Sequence, residues 1–485
     1  MAKFTEIGKT LEVGVQVLSM VMTSKFHVAM FPWFAVGHIT PYLKLSNKLA
    51  ERGFRVSFFI PTNTQSKFNH LNLHPHLIQF ILLTVPHVDG LPLGAESSAD
   101  VPVYKTHLLE QALDLTQDQV QIALEKFKPN VIFFDFAYWV PLVARPLGIK
   151  SVFASLTSAV TNVGLVPSLL PIVEKGIEHS TDQEREEFAK IPEIYPGSSS
   201  IKKPPYEIKG TSFAVIKYDG KISLVNRLLI AMKDSDALCF RACHETEGPY
   251  ADFLENQYNK PVMLTGPLLT KTSTSTILED RWANWLGGFE KGSVVYCAFG
   301  SECVLEKDQF QELVLGLEQT GLPFLVRLRP PVGADTLEEA LPEGFEERVR
   351  NRGVVHGGWI QQELILSHPS VGCFIGHCGS GSMWESLISN CQLVLVPHFA
   401  DQFLNTNFMT KQLKVAVNVE RKEEDGWFAR DGVCKAVKLV MDKGSEVGEE
   451  VMSNHLKLRN ILLSEGFETS YINNCILKLH DLLTT

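Results

Sequence analysis

The chain has 485 residues, of which 45% are hydrophobic and 21% are charged, and its formal net charge is −10. A chain of this length exceeds one ordinary hydrophobic core, so we expect two domains. The acidic balance argues against nucleic acid as a partner, because phosphate backbones are bound by basic faces. A small phosphorylated ligand stays possible, since a few local dipoles can hold it.

The nine cysteines are scattered and form no CxxC pair, which favours reduced thiols and argues against a zinc site. No stretch reaches the roughly 20 apolar residues that a membrane span requires. The nearest, residues 131–149, is interrupted by Asp135, Pro141 and Arg145. Residues 1–20 lack the pattern of a secretory signal, so we predict a cytoplasmic protein without a membrane span.

In the first half of the chain, short apolar runs alternate with amphipathic stretches. Residues 26–31, 55–60 and 131–134 have strand patterns, and helices are predicted over 41–52 and 107–127. Strands that alternate with helices of this length predict βαβ units and a parallel sheet.

A second βα series follows residues 268–278, a Thr- and Ser-rich stretch that is typical of a linker. The tail from about residue 450 is again helical. We therefore predict two doubly wound α/β sheets that face each other across a cleft, with ligands outside the carboxyl ends of the strands. The predicted strands of the second series are 293–298, 323–328, 353–356, 371–375 and 392–397.

A glycine-rich loop lies within residues 374–386, between a buried strand and a helix predicted to begin near Ser382. Free backbone N–H groups at such a helix start bind anions, and His377 and Ser382 add side-chain donors. An ordinary strand-to-helix turn capped by Ser382 explains the loop equally well. In the first interpretation a diphosphate approaches the backbone at three glycines, Gly376, Gly379 and Gly381.

The stretch from Trp359 to Gln402 resembles the signature box of plant family 1 UDP-glycosyltransferases, and the resemblance covers nearly the whole chain after about residue 25. It implies a GT-B fold, with two facing Rossmann-like domains, a cleft between them and a C-terminal helix packing back. The expected segments are an N-terminal extension (1–24), an acceptor-binding domain (25–260), a linker (261–278), a UDP-sugar-binding domain (279–455) and a helical tail (456–485).

The resemblance also implies a role for each residue of the box. Trp359 stacks on uracil with Gln362 nearby, and Glu385 accepts hydrogen bonds from the ribose hydroxyls. Asp401 and Gln402 bind sugar hydroxyls. His377 and Ser382 hold the diphosphate. The other candidates for binding the UDP-sugar are Gly37, Ser301, Gly379, Ser380 and Gly381; a tight turn explains Ser301 almost as well.

Two residues of the first half are the candidate catalytic pair. His38 follows the first strand, where the family places its general base, and imidazole changes protonation state near neutral pH. Asp135 follows the strand 131–134, where the family places the acid that orients the base. A solvated histidine and a helix-capping aspartate are the alternatives. Thr157 or Ser158 is expected to contact the donor sugar.

A UDP-sugar is the expected co-substrate, and no metal or other cofactor is predicted. The one DxD triplet, Asp234 to Asp236, precedes an apolar run and is predicted to be a helix-to-strand turn. No GxGxxG motif follows the first strand and no GxSxG elbow occurs, which argues against a dehydrogenase and a hydrolase. We expect a monomer.

The sequence is most similar to the clade that adds a second sugar to flavonoid glycosides. Ser380 stands where that clade has a large aromatic residue. Arg327 and Arg329 lie on a predicted strand where the clade tends to be less charged, and His398 precedes Asp401. The smaller residue suggests a pentose donor, UDP-apiose or UDP-xylose, as in legume apiosyltransferases. The alternatives are a glucosyl- or rhamnosyltransferase and a UDP-sugar-binding pseudoenzyme. Four aromatic residues are either acceptor walls or core: Trp33, Phe34, Tyr138 and Trp139.

Overall fold

The computed structural model describes residues 26–155, 157–163, 204–218, 221–269 and 277–484. The extension predicted at 1–24 and most of the Thr- and Ser-rich stretch at 268–278 lie outside these residues. Contacts within the chain define two compact units. The first contains the described residues up to 163, those of 215–269 and those from 466 onward; the second contains 204–214 and 277–465.

Each unit is built on one parallel sheet. The first sheet has the order β3-β2-β1-β4-β5-β6-β7, and the second has the order β10-β9-β8-β11-β12-β13. The strands are β1 His27–Phe31, β2 Arg55–Pro61, β3 Ile78–Leu83, β4 Val131–Phe134, β5 Lys150–Ser155, β6 Ala237–Phe240, β7 Val262–Leu264, β8 Val294–Ala298, β9 Phe324–Arg327, β10 Gly353–His356, β11 Val371–Gly376, β12 Gln392–Leu395 and β13 Val417–Asn418.

Helices connect and cover the strands of both sheets. They are α1 Val36–Ala50, α2 Gln65–Phe68, α3 Thr106–Asp114, α4 Gln117–Phe127, α5 Val140–Ala144, α6 Pro205–Thr211, α7 Leu224–Asp234, α8 His244–Tyr258, α9 Asp280–Gly287, α10 Lys307–Thr320, α11 Phe345–Arg348, α12 Gln362–Leu366, α13 Ser380–Leu387, α14 Gln402–Asn407, α15 Arg430–Met441, α16 Glu446–Leu462 and α17 Phe467–Thr484. No helix among the described residues is long and apolar enough to cross a membrane.

The first helix begins earlier than its proline suggests. A proline is favoured in the first turn of a helix, which is why the sequence predicts a start at Pro41. In the structure α1 begins at Val36, and Pro41 lies inside it. A proline has no N–H group, so the carbonyl four residues before it lacks its helical hydrogen bond. The first turn is instead closed by the N–H groups of His38 and Ile39, which both donate to the carbonyl of Ala35.

Other predicted elements are confirmed with small shifts. The triplet Asp234 to Asp236 is a helix-to-strand turn, because α7 ends at Asp234 and the carboxylate of Asp236 accepts from the N–H and hydroxyl of Ser151. The helix predicted over 107–127 is two helices, α3 and α4. The strand β3 was not predicted, and its residues alternate irregularly between buried and exposed positions.

The C-terminal helix α17 belongs to the core of the first unit. It contributes apolar side chains at Ile472, Ile476 and Leu479, which are at most 1% exposed and pack with residues of β1 and β2. The ammonium of Lys48 on α1 also pairs with the carboxylate of Glu468 at 2.6 Å. Burial of these apolar groups ties the end of the chain to the first sheet.

The order of strands reverses once in each sheet. In the first sheet β1 lies between β2 and β4, and in the second β8 lies between β9 and β11. At such a switch point the two connections leave in opposite directions, so a crevice opens at the carboxyl ends of the two central strands. The residues that directly follow β1, β4, β8 and β11 are therefore the first places to look for a site.

Candidate active site

His38 and Asp135 meet at the switch point of the first sheet. His38 lies in the first turn of α1, after β1, and Asp135 directly follows β4. Because β1 and β4 pair in parallel, their carboxyl ends lie side by side. The imidazole Nδ1 is 2.6 Å from Oδ2 of Asp135, although the two residues are 97 positions apart in the chain.

The environment of the pair favours a fixed geometry. The Asp135 side chain is only 2% exposed, and its Oδ1 accepts the N–H of Phe136 at 2.6 Å. It makes no capping bond to α5, so the helix-capping alternative is not observed. The ring of Phe136 meets the His38 ring edge-on, with centroids 5.3 Å apart. A carboxylate that accepts from Nδ1–H leaves Nε2 as the proton acceptor, which suits a general base.

At the switch point of the second sheet, two glycines lie close to the His377 ring. A Cβ placed on Gly379 would be 2.6 Å from the imidazole Nε2, and one placed on Gly300 would be 2.9 Å from Cε1. Only glycine fits at these positions without displacing the ring. At Gly376 the space is taken by the Phe374 ring, 2.7 Å from a Cβ, whereas nothing lies within 4 Å at Gly381.

This arrangement changes the interpretation of the glycine-rich loop. Gly379 makes room for His377, and of the three glycines Gly381 is the one that faces open space. The helix α13 begins at Ser380, two residues before the predicted start, with Gly379 as its N-cap. Burial lowers the pKa of His377 to about 4, so the ring is neutral at pH 7 and donates without carrying a positive charge.

An exposed tryptophan and a polar cluster lie further along the same unit. The Trp359 side chain is 71% exposed, which leaves a flat aromatic surface for stacking. Gln362, the first residue of α12, donates from Nε2 to the Glu385 carboxylate at 2.7 Å and to the Ser382 hydroxyl at 3.4 Å. Its Oε1 accepts from the phenol of Tyr296 at 3.1 Å.

A second carboxylate, Asp401, is held by hydrogen bonds to its Oδ2. Ser380 Oγ donates to it at 3.2 Å and Asn405 Nδ2 at 2.9 Å. The same Asn405 amide donates to the carbonyl of Cys378 at 3.0 Å, and Cys378 has the left-handed φ of 62°. One buried amide thus connects the glycine-rich loop to the Asp401 carboxylate.

Gln402 is placed differently from its expected role at a sugar. Its side chain is 3% exposed, and its Oε1 accepts the backbone N–H groups of His398 at 2.9 Å and Phe399 at 3.3 Å. The His398 ring contacts the rings of Phe299 and Phe428, and burial lowers its pKa well below the usual range. The Gln402 carbonyl therefore shapes the loop before α14.

The two arginines of β9 and the turn after it support loops. Arg327 donates from Nη1 to the carbonyl of Gly300 at 2.6 Å and from Nε to that of Gly358 at 3.2 Å. Arg329 donates to the carbonyl of Ser301 at 3.2 Å, and the Ser301 side chain is exposed. The turn after β8 is thus braced through its carbonyl groups.

Most of the suggested acceptor walls belong to the core of the first unit. Trp33, Phe34 and Trp139 are at most 3% exposed. Tyr138 is partly exposed, and the Arg227 guanidinium lies over its ring at 5.2 Å. Near the candidate base, Gly37 is exposed, with nothing within 4 Å of a Cβ.

The two candidates for contact with the donor sugar, Thr157 and Ser158, are both hydrogen-bonded to nearby hydroxyl groups. Thr157 Oγ1 lies 2.8 Å from the hydroxyl of Ser155, and Ser158 Oγ lies 2.8 Å from that of Thr161. Ser158 is buried, whereas Thr157 is partly exposed. Of the two, Thr157 is therefore the better placed to reach a ligand.

Sequence reasoning missed three residues that contact the candidates. Tyr296 lies in an apolar strand pattern, where a phenol is easily taken for core. Asn405 follows Asp401 by one helical turn, and that spacing is a usable signal for a side-chain contact. Phe136 directly follows Asp135, and only the turn geometry places its ring on His38.

Comparison with known proteins agrees with this architecture. A family described as "UDP-glucoronosyl and UDP-glucosyl transferase" matches residues 270–456. The chain is 52% identical over 459 residues to the cyanidin 3-O-galactoside 2''-O-xylosyltransferase of Actinidia chinensis var. chinensis, covering 94% of this chain and 99% of the relative. It is 48% identical to the anthocyanidin 3-O-glucoside 2''-O-glucosyltransferase of Ipomoea nil, covering 94% and 98%.

A solved structure shows the same fold. The crystal structure of a UDP-glucose:anthocyanidin 3-O-glucosyltransferase in complex with UDP superposes with a TM-score of 0.76 at 23% identity, covering 94% of this chain and 99% of that one. This likeness confirms the predicted α/β fold of the GT-B class, with a Rossmann-like sheet in each unit. With about half of its residues identical to those of full-length relatives, the chain belongs to the plant family 1 UDP-glycosyltransferases.

Proposed function

We propose that this enzyme transfers one sugar from a UDP-sugar to the 2''-hydroxyl of the sugar of a flavonoid glycoside, such as an anthocyanidin 3-O-glycoside. The two relatives described above, whose names specify that position, support the acceptor class. The observation that carries the catalytic part is the 2.6 Å contact between His38 Nδ1 and Asp135 Oδ2. Binding of a UDP-sugar alone needs no such pair, so this contact favours catalysis over a pseudoenzyme.

In the proposed reaction His38 Nε2 takes the proton of the acceptor hydroxyl as its oxygen attacks the anomeric carbon. The new glycosidic C–O bond forms while the bond from that carbon to the diphosphate oxygen breaks, and UDP leaves with the electron pair. The Asp135 carboxylate stabilises the imidazolium that results, and its burial strengthens that interaction. A single in-line displacement converts an α-linked donor into a β-linked product.

The second unit binds the donor in this proposal. The exposed Trp359 ring stacks on uracil, and Glu385 accepts hydrogen bonds from the ribose hydroxyls. Because His377 is neutral, the diphosphate is stabilised by the imidazole N–H together with the backbone N–H groups at the start of α13. Asp401 accepts hydrogen bonds from the sugar hydroxyls.

Three further properties stay predictions: metal independence, a monomeric state and a cytoplasmic location. Unchanged turnover in the presence of EDTA tests the first of them.

For the donor we propose UDP-xylose. The relatives named above carry xylose and glucose in their names and neither carries apiose, so xylose replaces apiose as the favoured pentose. In this chain the Ser380 hydroxyl donates to Asp401, the proposed sugar-binding carboxylate, in place of a large aromatic side chain. UDP-glucose is the second candidate, because a methylene-sized difference in a pocket is worth only about 1–3 kcal/mol of selectivity.

The proposal is tested by offering one anthocyanidin 3-O-glucoside a mixture of UDP-xylose, UDP-glucose, UDP-rhamnose and UDP-apiose, with products identified by mass spectrometry. A pentose on the existing sugar is expected. The His38→Ala variant should bind UDP with wild-type affinity and form no product above background. Normal turnover by that variant would overturn the catalytic assignment. The Ser380→Phe variant should shift the ratio of xylose to glucose products, and an unchanged ratio would refute the role of Ser380.

A further inference from the structure

Tyr296 has a buried phenol whose hydroxyl contacts a residue of the proposed donor site. It lies in the middle of β8 with 0% exposure, and its ring stacks on Phe374 of the neighbouring strand β11, with centroids 5.4 Å apart and planes 22° apart. Its hydroxyl donates to Oε1 of Gln362 at 3.1 Å. Burial raises the pKa of the phenol, so it stays protonated and remains a donor.

Two hydrogen bonds, one at each end, fix how the Gln362 amide is oriented. An amide has an acceptor end and a donor end. With Tyr296 donating to Oε1, the NH2 group points at Glu385 and donates to its Oε2 at 2.7 Å. The flipped amide would place Oε1 against the carboxylate oxygen, which is unfavourable, and would take away the acceptor to which the phenol now donates.

We propose that Tyr296 is a positioning residue for the ribose of the donor, acting through Gln362 on the carboxylate of Glu385. The inference rests on the proposed function, in which Glu385 accepts hydrogen bonds from the ribose hydroxyls. A carboxylate held in one orientation accepts from two neighbouring hydroxyl groups without first being ordered by the ligand. The residue touches neither the nucleotide nor the reacting atoms, so its effect is on recognition of the ribose.

The test compares the dissociation constants of UDP and 2'-deoxy-UDP, measured by calorimetry on the full chain. Tyr296→Phe should weaken UDP about fivefold, the usual worth of one hydrogen bond, and weaken 2'-deoxy-UDP less. The preference for UDP over the deoxy nucleotide should therefore fall. Tyr42→Phe is the matched control: Tyr42 is 1% exposed in the first unit, and its hydroxyl donates to the carbonyl of Ala154. The control should keep the wild-type preference.

A merely structural role of Tyr296 predicts a different result. Equal weakening of the two nucleotides by Tyr296→Phe, or no change in either, would overturn the inference. In a Gln362→Leu background there is no amide to orient, so the added Tyr296→Phe change should have no further effect on the preference. A further loss in that background would also count against the relay.

Glu385→Gln separates this inference from the proposed function. Loss of the preference in Glu385→Gln but not in Tyr296→Phe would overturn the positioning role alone. Full retention of the preference in Glu385→Gln would overturn the ribose assignment, and the role of Tyr296 would fall with it. Loss in both variants supports the relay from the phenol to the carboxylate.

Discussion

Gly379→Ala and Gly381→Ala are expected to have opposite effects on the thermal stability of the second unit. The two glycines lie at the start of α13, yet their surroundings differ. A Cβ at Gly379 would be 2.6 Å from Nε2 of His377, whereas a Cβ at Gly381 has nothing within 4 Å. Gly379 has a φ of −66°, which any residue adopts, so backbone strain adds no penalty there.

The stability lost in Gly379→Ala depends on how far the His377 ring can move. Carbon and nitrogen atoms that do not bond stay more than 3 Å apart, so the His377 ring must move by several tenths of an ångström. Gly300 also lies close to the ring, since a Cβ there would be 2.9 Å from it. Overpacking of this kind costs about 1–3 kcal/mol. Alanine at Gly381 instead gains helix propensity, up to about 1 kcal/mol.

Thermal unfolding and calorimetric titration with UDP measure the two effects. A loss of about 1 kcal/mol lowers Tm by about 2–4 °C in a unit of this size. We expect Gly379→Ala to lower both Tm and UDP affinity. Gly381→Ala should keep or raise Tm while weakening UDP, because its methyl group occupies the open space in which the diphosphate is proposed to bind.

Two results would refute this reasoning. A wild-type Tm for Gly379→Ala would mean that the loop accommodates the methyl group at no cost and that the ring is not confined. Unchanged UDP affinity in Gly381→Ala would mean that the open space beside that residue is not the diphosphate site.

Three further predictions follow from buried polar groups. Asp135→Asn should lower kcat by a factor of about 10²–10⁴ with little change in UDP affinity, because the imidazolium of His38 loses its carboxylate. Single-turnover assays measure the rate and calorimetry measures the affinity. A wild-type kcat would contradict the pairing. Burial raises the pKa of Glu247 from 4.5 to about 7, so the folded state holds a proton that the unfolded state releases. The free energy of unfolding should therefore fall by on the order of 3 kcal/mol as pH rises from about 5 to 7. Denaturant unfolding should show a weaker dependence of this free energy on pH for Glu247→Gln. An equal dependence in wild type and variant would contradict the assignment. Asn405→Leu should raise KM for the UDP-sugar more than the dissociation constant of UDP, because it removes one of the hydrogen bonds that hold the Asp401 carboxylate. Equal changes in both would point to a general loss of structure.

Local patterns in the sequence were sufficient for much of the fold. The strands β1, β4, β10 and β11 lie where the apolar runs predict them, within one residue at each end. A buried parallel strand is a short run of apolar side chains, and this signal depends only on neighbours in the chain. The order and spacing of residues from Trp359 to Gln402 likewise identified the family without any knowledge of contacts.

Elements that depend on packing were predicted less well. The start of α1 at Val36 was missed because the cost of Pro41 inside a helix is offset by burial of the rest of that helix. The roles of the glycines could not be read from a Gly-rich pattern, since Gly379 accommodates a ring and Gly381 faces open space. A glycine in the sequence shows that the residue has no side chain, but not which neighbouring group occupies that space.

The amino-acid sequence by itself determined the alternation of strands and helices, the two-sheet organisation and the identity of the candidate residues. Only the tertiary structure decided which of them meet. His38 and Asp135 are 97 positions apart, and they touch because β1 and β4 are neighbours in the sheet. Tyr296 on β8 and Gln362 on α12 are 66 positions apart, and they too touch only in the folded unit. Hydrophobic periodicity fixes which face of a strand is buried, whereas the order of strands follows from packing of the whole unit.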